Sequence, residues 1–276
     1  MDHTYFLKLG GSLITNKDQT QTALLPQIDI IARQINNFIQ VNPEVHLLVG
    51  HGSGSFGHVA ASKYHTREGV KSPGQWQGFA EVWLAARELN QILIERFAQF
   101  GLPVISFPLS AGAVTKNGSA TNWNIHPIEA ALQHHLLPVV YGDVVLDETL
   151  GGTILSTEEQ FAALVPVLKP AKILLAGREV GVWQDYPACT TLIDTITPST
   201  YPALSKNIIG SASTDVTGGM VSKVESMLSL IQKHPQLQIQ IFSGSNEEAI
   251  FNALSGEQSG TILRSAVQGV KNEIRS

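Results

Sequence analysis

The sequence contains little of several features that mark common classes of protein. Its 276 residues include one cysteine, Cys189, which excludes an internal disulfide framework and suits a reducing compartment. Lysine and arginine total 18 against 23 acidic residues, and the resulting net charge of −5 disfavours general nucleic-acid or anionic-membrane binding. No apolar run reaches the roughly 20 residues of a membrane-spanning helix, and the N-terminus lacks a signal-peptide pattern. We therefore expect a cytoplasmic globular protein with no membrane partner and no nucleic-acid partner.

Three signatures of cofactor sites are also missing or incomplete. No G-x-x-x-x-G-K-[ST] motif occurs, so a P-loop is excluded. The run Gly52 to Gly57 matches G-x-G-x-x-G, but no strand ending in a ribose-binding acid follows about 20 residues later, which disfavours a dinucleotide site. One cysteine and scattered histidines provide no paired ligand spacing, so we predict no metal held by protein side chains.

What the sequence does have is a set of glycine-rich loops at the ends of predicted strands. The longest, Gly50 to His58, follows the largely apolar run 45–49. Glycines let backbone N–H groups converge on a phosphate, and a following helix start adds partial positive charge. Similar glycines occur at Gly10-Gly11, after the first predicted strand, and at Gly218-Gly219, before a predicted helix. Gly142 comes after another predicted strand. Because lysines accompany them, these loops indicate two phosphate-bearing ligands that meet end to end.

Predicted strands and helices alternate along most of the chain. The apolar spacing predicts helices over 24–41, 78–100, 128–135, 218–233 and 247–254, and another from 157. Strands are expected over 5–9, 45–49, 103–107, 172–176, 238–242 and 260–263, and 139–155 reads as a strand followed by a hairpin. The stretch 184–207, rich in proline, threonine and serine, is expected to be a surface excursion. The alternation predicts an α/β fold with a mostly parallel sheet covered on both faces.

Four segments carry a resemblance to a known family. They are Lys8-Leu9-Gly10-Gly11-Ser12, Ser55-Phe56-Gly57-His58, Gly142-Asp143-Val144-Val145, and Asp215 to Met220 with Lys223. Together they resemble the amino acid kinase superfamily and, within it, the isopentenyl phosphate kinases, for which His58 is the most specific element. The resemblance implies a single domain over 1–276, built as an open αβα sandwich. It also implies an acceptor-binding lobe of about 1–170, a nucleotide-binding lobe of about 171–276, and a homodimer.

The implied reaction is transfer of the γ-phosphoryl group of ATP, accompanied by Mg²⁺, to isopentenyl phosphate, giving isopentenyl diphosphate. The acceptor oxygen is already anionic, so positioning and charge neutralisation matter more than a general base. The resemblance assigns catalytic roles to Lys8, Lys17 and His58. It assigns ATP binding to Lys8, Gly10, Gly11, Ser12, Ser53, Gly54, Asp215, Gly219 and Lys223. It assigns acceptor binding to Gly52, Gly57, His58 and Gly152, with an apolar tail expected near Trp76, Phe79 and Trp83.

Three departures from the family pattern accompany the resemblance. Ser53 stands where a glycine is usual, and Thr157-Glu158-Glu159 replaces Gly-Asp-Asp. The run Gly177 to Trp183 replaces the segment that lines the nucleotide, so ribose and adenine contacts do not carry over. From the residues alone, the lysines could also be solvated surface residues, and His51 and Asp143 could serve the backbone. A kinase for another phosphate, a fosfomycin-like phosphonate or a carboxylate remains an alternative, as does a non-catalytic nucleotide-binding regulator.

Overall fold

A computed structural model describes residues 3–205 and 219–266, without the side chains of His58 and Val59. Asp215 lies outside the described residues, and so does the contact predicted for the His58 side chain. Within the described part of the chain, no helix has both the length and the apolar character needed to span a bilayer.

The larger of two sheets has eight strands in the order β10-β12-β11-β9-β1-β2-β6-β3. All neighbouring pairs in it are parallel except β11 and β12, which confirms the predicted mostly parallel sheet. The strands of both sheets are β1 Thr4–Leu9, β2 His46–His51, β3 Val104–Ser106, β4 Ala113–Lys116, β5 Ser119–Trp123, β6 Leu137–Tyr141, β7 Asp143–Asp147, β8 Gly151–Leu155, β9 Lys172–Gly177, β10 Thr195–Ile196, β11 Gln238–Ser243 and β12 Thr261–Leu263.

Helices cover both faces of the large sheet. They are α1 Gly11–Ile14, α2 Leu25–Val41, α3 Gly54–Tyr64, α4 Pro73–Gln99, α5 Leu109–Gly112, α6 His126–Gln133, α7 Thr157–Leu168, α8 Tyr201–Leu204, α9 Gly219–Lys233 and α10 Ala249–Leu254, with a 3₁₀ turn at Thr66–Glu68. Alternate residues of β1 point to opposite faces, so Leu7 packs with α2, α4 and α10 whereas Phe6 packs with α6, α7 and α9. The two apolar cores give the predicted αβα sandwich.

The smaller sheet, in the order β5-β4-β7-β8, lies beside α4 and α5. Its antiparallel pair β7–β8 is the hairpin that the sequence predicts at residues 149–152. The β4–β5 hairpin was not predicted. The segment expected to be a surface excursion is also more ordered than predicted, because it contributes β10 to the edge of the large sheet and then forms α8.

The centre of the large sheet is where the chain changes direction. From β1 the chain proceeds to β2 on one side, whereas β9 occupies the other side. The carboxyl ends of these three strands therefore share one edge, and a crevice at such a reversal is the usual ligand position in an open α/β sheet.

Candidate active site

The crevice brings two predicted glycine loops and the end of β9 side by side. Leu9 is level with His51 on one neighbouring strand and with Ala176 on the other. Beyond these residues the pairing continues, since the Gly10 N–H donates to the Ala176 carbonyl at 2.8 Å and the Gly52 N–H donates to the Leu9 carbonyl at 3.0 Å. The strand register therefore fixes where both loops begin.

The two glycine loops touch backbone to backbone. A Cβ on Gly11 would lie 2.4 Å from the Gly54 nitrogen, so no side chain fits there. Gly54 has a φ of +49°, and a Cβ on it would come within 2.2 Å of the Thr15 hydroxyl oxygen. That hydroxyl donates to the Gly11 carbonyl at 2.8 Å and accepts from the Ser55 N–H at 3.0 Å. Thr15 thus fastens the two loops into one unit.

Ser53, which departs from the family pattern, occupies a backbone position that needs no glycine. It immediately precedes α3 with φ −76° and ψ −13°, which any residue adopts. Its side chain lies over Gly57, where a Cβ would come within 2.6 Å of the serine hydroxyl oxygen. The serine is therefore accommodated because Gly57 leaves room for it.

A cavity of about 750 Å³ opens over these loops. Most of the predicted site residues line it, namely Lys8, Gly10, Gly11, Ser12, Lys17, Gly52, Ser53, Gly54, Gly57, Gly219 and Lys223. The structure does not bring Gly152 to the cavity. A Cβ on Gly152 would lie 2.8 Å from the ring of Phe79, so this glycine allows an aromatic ring to pack, and its predicted acceptor contact is not supported by the geometry.

Glu158 is a site residue that the sequence analysis did not assign. Its carboxylate accepts a hydrogen bond from the Lys8 ammonium, and both side chains are largely buried, at 13% and 12% exposure. Burial would raise the pKa of Glu158, but the charges of Lys8 and Lys223 and the hydrogen bond from Lys8 outweigh it and hold that pKa below its ordinary value. One carboxylate therefore faces both predicted phosphate-binding lysines. The sequence feature that could have indicated Glu158 is the acidic pair at the start of α7.

Arg67 is a second lining residue that the sequence analysis missed. Its guanidinium makes two hydrogen bonds to Glu159, at 2.8 and 3.2 Å. Glu159 in turn accepts from the Ser156 N–H at 2.7 Å and completes a capping box at the start of α7. The pair joins the turn after α3 to the first turn of α7 across the cavity wall.

The wall beyond Gly57 is apolar. Ala61, Val82, Ala86 and Ile154 contribute to it. Trp76, Phe79 and Trp83, the residues predicted to surround an apolar tail, are not among the lining residues. Phe79 and Trp83 instead pack against the small core of Ala61, Val82 and Val144. Trp76 packs edge-on against Phe79 with ring centroids 5.4 Å apart. The predicted helix, α4, does line the cavity, but through Val82 and Ala86 and not through the three aromatic residues.

His51 contacts the loop at Gly52, whereas Asp143 holds the start of α5. His51 is fully buried, with Nδ1 3.1 Å from the Gly52 carbonyl and Nε2 3.2 Å from the Asn90 side-chain oxygen. Burial lowers the pKa of His51. Asp143 is also fully buried and accepts from the Ser110 and Val144 N–H groups, at 3.1 and 2.8 Å. Burial raises its pKa to about 6. Both residues serve the backbone, the alternative left open by the sequence.

The opposite end of the cavity lies beside β9 and the start of α9. Gly177, Arg178, Glu179, Tyr186, Gly219, Met220, Lys223 and Ile241 line this end. The side chain of Lys223 leans toward the helix start, because Cβ atoms in a helix tilt toward its N-terminus. The cavity therefore has an apolar end and an end with a helix start and cations, and Lys8 lies where the two meet. Such an arrangement can hold two anionic ligands head to head.

Comparisons with known proteins agree with this geometry. The sequence profile of the amino acid kinase family matches residues 4–243. An isopentenyl phosphate kinase of Methanocaldococcus jannaschii is 31% identical over 261 residues, covering 92% of this chain and 96% of the relative. Another from Methanothermobacter thermautotrophicus is 30% identical over 275 residues, covering 96% and 97%.

Solved structures show the same similarity. An X-ray structure of an isopentenyl phosphate kinase superimposes with a TM-score of 0.80 at 28% identity, covering 95% of this chain and all of that one. A product complex of the Thermoplasma acidophilum enzyme has a TM-score of 0.74 at 23% identity and shares the fold. The chain therefore belongs to the amino acid kinase family and, within it, groups with the isopentenyl phosphate kinases.

Proposed function

We propose that this chain transfers the γ-phosphoryl group of ATP to isopentenyl phosphate, producing isopentenyl diphosphate and ADP. The observation that carries the proposal is one cavity in which two touching glycine loops and Lys8 separate an apolar end from a cationic helix start. The relatives that match almost the whole length of the chain carry this activity in their names.

The acceptor occupies the end formed by Gly52 to Gly57 and the apolar wall. Backbone amides at the start of α3 and the predicted His58 side chain bind the acceptor phosphate. The small branched tail packs against Ala61, Val82 and Ile154. This wall excludes water from the tail without offering it a hydrogen bond, which suits a hydrocarbon group.

Charge neutralisation is the main chemical task of the site. An acceptor phosphate oxygen attacks the γ-phosphorus, the bond from that phosphorus to the β-bridging oxygen breaks, and ADP departs with the bonding electrons. Lys8 and Lys17 offset the negative charge between the two ligands. Glu158 acts as a positioning residue, since its carboxylate holds the Lys8 ammonium and faces Lys223.

The donor set fits a magnesium ion bound mainly by the nucleotide. Among the described residues, no group of three or more histidine, cysteine, aspartate or glutamate side chains could hold a metal ion. Mg²⁺ keeps water ligands and commonly binds through substrate phosphates, where it neutralises charge. Glu158, already bonded to Lys8, is one of the carboxylates that line the cavity.

The lobe assignment and the homodimer also remain proposals. Residues of the apolar end lie between 52 and 158, whereas residues of the helix-start end lie from 175 onward, which supports the proposed lobes. Three exposed apolar side chains support a dimer at the β3 edge. Ile105 lies on β3 itself, Leu136 directly precedes the neighbouring β6, and Leu84 lies on α4, which packs against β3. We also retain the expectation of a cytoplasmic location.

An acceptor panel tests the assignment. ADP release is measured with ATP, Mg²⁺ and, in separate reactions, isopentenyl phosphate, a longer prenyl phosphate, fosfomycin and glutamate. We expect the highest kcat/KM with isopentenyl phosphate. Preference for the phosphonate or the carboxylate would move the chain to another acceptor class, and no acceptor-dependent turnover would favour a nucleotide-binding regulator.

A further inference from the structure

Arg178 is an exposed arginine at the helix-start end of the cavity. Two other cations that line the cavity are paired with carboxylates, Lys8 with Glu158 and Arg67 with Glu159. No ion pair or side-chain hydrogen bond in the described part of the chain engages the Arg178 guanidinium. Within that part of the chain, its five N–H donors have no protein acceptor, and the residue is exposed at the cavity.

The backbone around Arg178 is held in place. The Gly177 carbonyl accepts from the Gly244 N–H at 2.9 Å, and the Arg178 carbonyl accepts from the Ser243 hydroxyl at 3.2 Å. Both bonds tie the end of β9 to the end of β11. The guanidinium is therefore presented from a fixed point on the sheet edge.

The sheet order determines which ligand this arginine faces. In the order β9-β1-β2, Arg178 follows β9, whereas the loop of Gly52 and Gly54 follows β2. Gly10 lies between them, and a Cβ added to it would come within 3.1 Å of the Ala176 carbonyl oxygen. Arg178 is thus on the side of β1 away from the acceptor loop, where Tyr186 and the start of α9 complete the cavity.

Resting on the proposed function, we propose that the Arg178 guanidinium binds the non-transferred α- or β-phosphate of the nucleotide. The transferred phosphoryl group must lie at the contact of the two glycine loops, so phosphates farther along the nucleotide extend toward β9. A guanidinium offers a planar pair of donors that matches two phosphate oxygens. Glu179 lines the same end, and the positive charges of Arg178 and Lys223 there offset its carboxylate where a polyanion would lie.

Nucleotide binding without acceptor tests this assignment. Isothermal titration calorimetry measures the Kd of ADP and of a non-hydrolysable ATP analogue for the wild type, Arg178→Met, Arg178→Lys and Arg33→Met. Arg33 is the matched control because it is an exposed arginine on α2 that does not line the cavity. The loss of a charge-assisted hydrogen bond predicts that Arg178→Met weakens both nucleotides by about tenfold or more.

The remaining variants and ligands sharpen the outcome. We expect Arg178→Lys to retain part of the affinity, Arg33→Met to match the wild type, and the Kd of isopentenyl phosphate to stay unchanged in all variants. An unchanged ADP Kd in Arg178→Met would overturn the proposal, and so would a loss confined to the ATP analogue, since that would place the guanidinium on the γ-phosphate. The calorimetry contains no acceptor, so its result does not depend on which acceptor the enzyme uses. If Arg178→Met loses ADP affinity but the wild type does not phosphorylate isopentenyl phosphate, the acceptor assignment is refuted and the role of Arg178 stands.

Discussion

Replacing Glu158 with glutamine removes the carboxylate that holds Lys8 and faces Lys223. Removing one partner of a buried ion pair typically costs 3 to 5 kcal/mol, because the remaining charge stays buried without compensation. Lys8 lines an open cavity and can recover part of its hydration, so we expect the free energy of unfolding to fall by about 2 to 4 kcal/mol. Displacement of Lys8 should also lower kcat by about 100-fold, while the KM for isopentenyl phosphate changes little.

The pH dependence of the stability loss follows from the direction of the pKa shift. The folded-state pKa of Glu158 lies below its ordinary value of 4.5. A group of this kind stabilises the protein above its unfolded pKa, and the contribution is lost as pH falls through the folded pKa. The stability difference between wild type and Glu158→Gln should therefore have its full size at pH 7 and become smaller as pH falls below 4.5.

Urea unfolding and steady-state kinetics measure the two effects, with Glu148→Gln as a control. Glu148 is an exposed carboxylate 3.7 Å from Lys116, a pair expected to contribute under about 1 kcal/mol. The double variant Lys8→Met/Glu158→Gln leaves no unpaired charge between these residues, so it should regain stability without regaining activity. Strictly additive stability losses in the double variant would refute the reasoning, because independent residues do not couple.

Three further predictions concern other parts of the molecule. Gly54→Ala should abolish turnover and lower the free energy of unfolding in urea by about 3 kcal/mol or more, because the new Cβ would meet Thr15. The control Gly118→Ala, at φ +74° with open space around it, should lower that free energy by only about 1 to 2 kcal/mol and leave activity unchanged. Val82→Ala should raise kcat/KM for longer prenyl phosphates relative to isopentenyl phosphate by about tenfold, whereas Trp83→Ala should chiefly lower the melting temperature. Burial lowers the pKa of Lys172 to about 8 from 10.5, so between these pH values the unfolded chain binds more protons than the folded one. This lysine should therefore make the wild type more stable as pH rises through that range. Urea midpoints at pH 7.5 and 9.5 should show this gain in the wild type and not in Lys172→Met.

The main features of the fold and the glycine loops were accessible from sequence because each depends on local pattern plus one topological rule. A strand that runs into Gly10-Gly11 and another that runs into Gly52 must open at the same edge if both belong to a parallel sheet. The register of β1 with its two neighbouring strands then places Lys8 beside both loops.

Contacts between distant segments were not accessible in the same way. Lys8 and Glu158 are separated by 150 positions, and no periodicity relates a strand residue to the first turn of a helix so far along the chain. The same holds for Arg67 and Glu159, whose pairing depends on how the turn after α3 packs against β8.

The missed β4–β5 hairpin had a local signal that its composition obscured. Asn117 and Gly118, with φ of +51° and +74°, form the kind of turn that Asn-Gly favours between two strands. The flanking residues are mostly polar and half-exposed, so they lack the apolar alternation by which a strand is recognised. Helix α4 likewise begins earlier than predicted, at Pro73, because Ser72 and Gln75 form a capping box that starts the helix despite the glycines in its first two turns.

The identity of the reaction product tests the central claim most directly. Phosphorus-31 NMR of wild-type enzyme with ATP, Mg²⁺ and isopentenyl phosphate distinguishes a new diphosphate from the acceptor monophosphate and follows ADP in the same spectrum. We predict that isopentenyl diphosphate and ADP appear in equal amounts, and that Lys8→Met forms both far more slowly. ADP accompanied by inorganic phosphate, with the acceptor signal unchanged, would contradict the account.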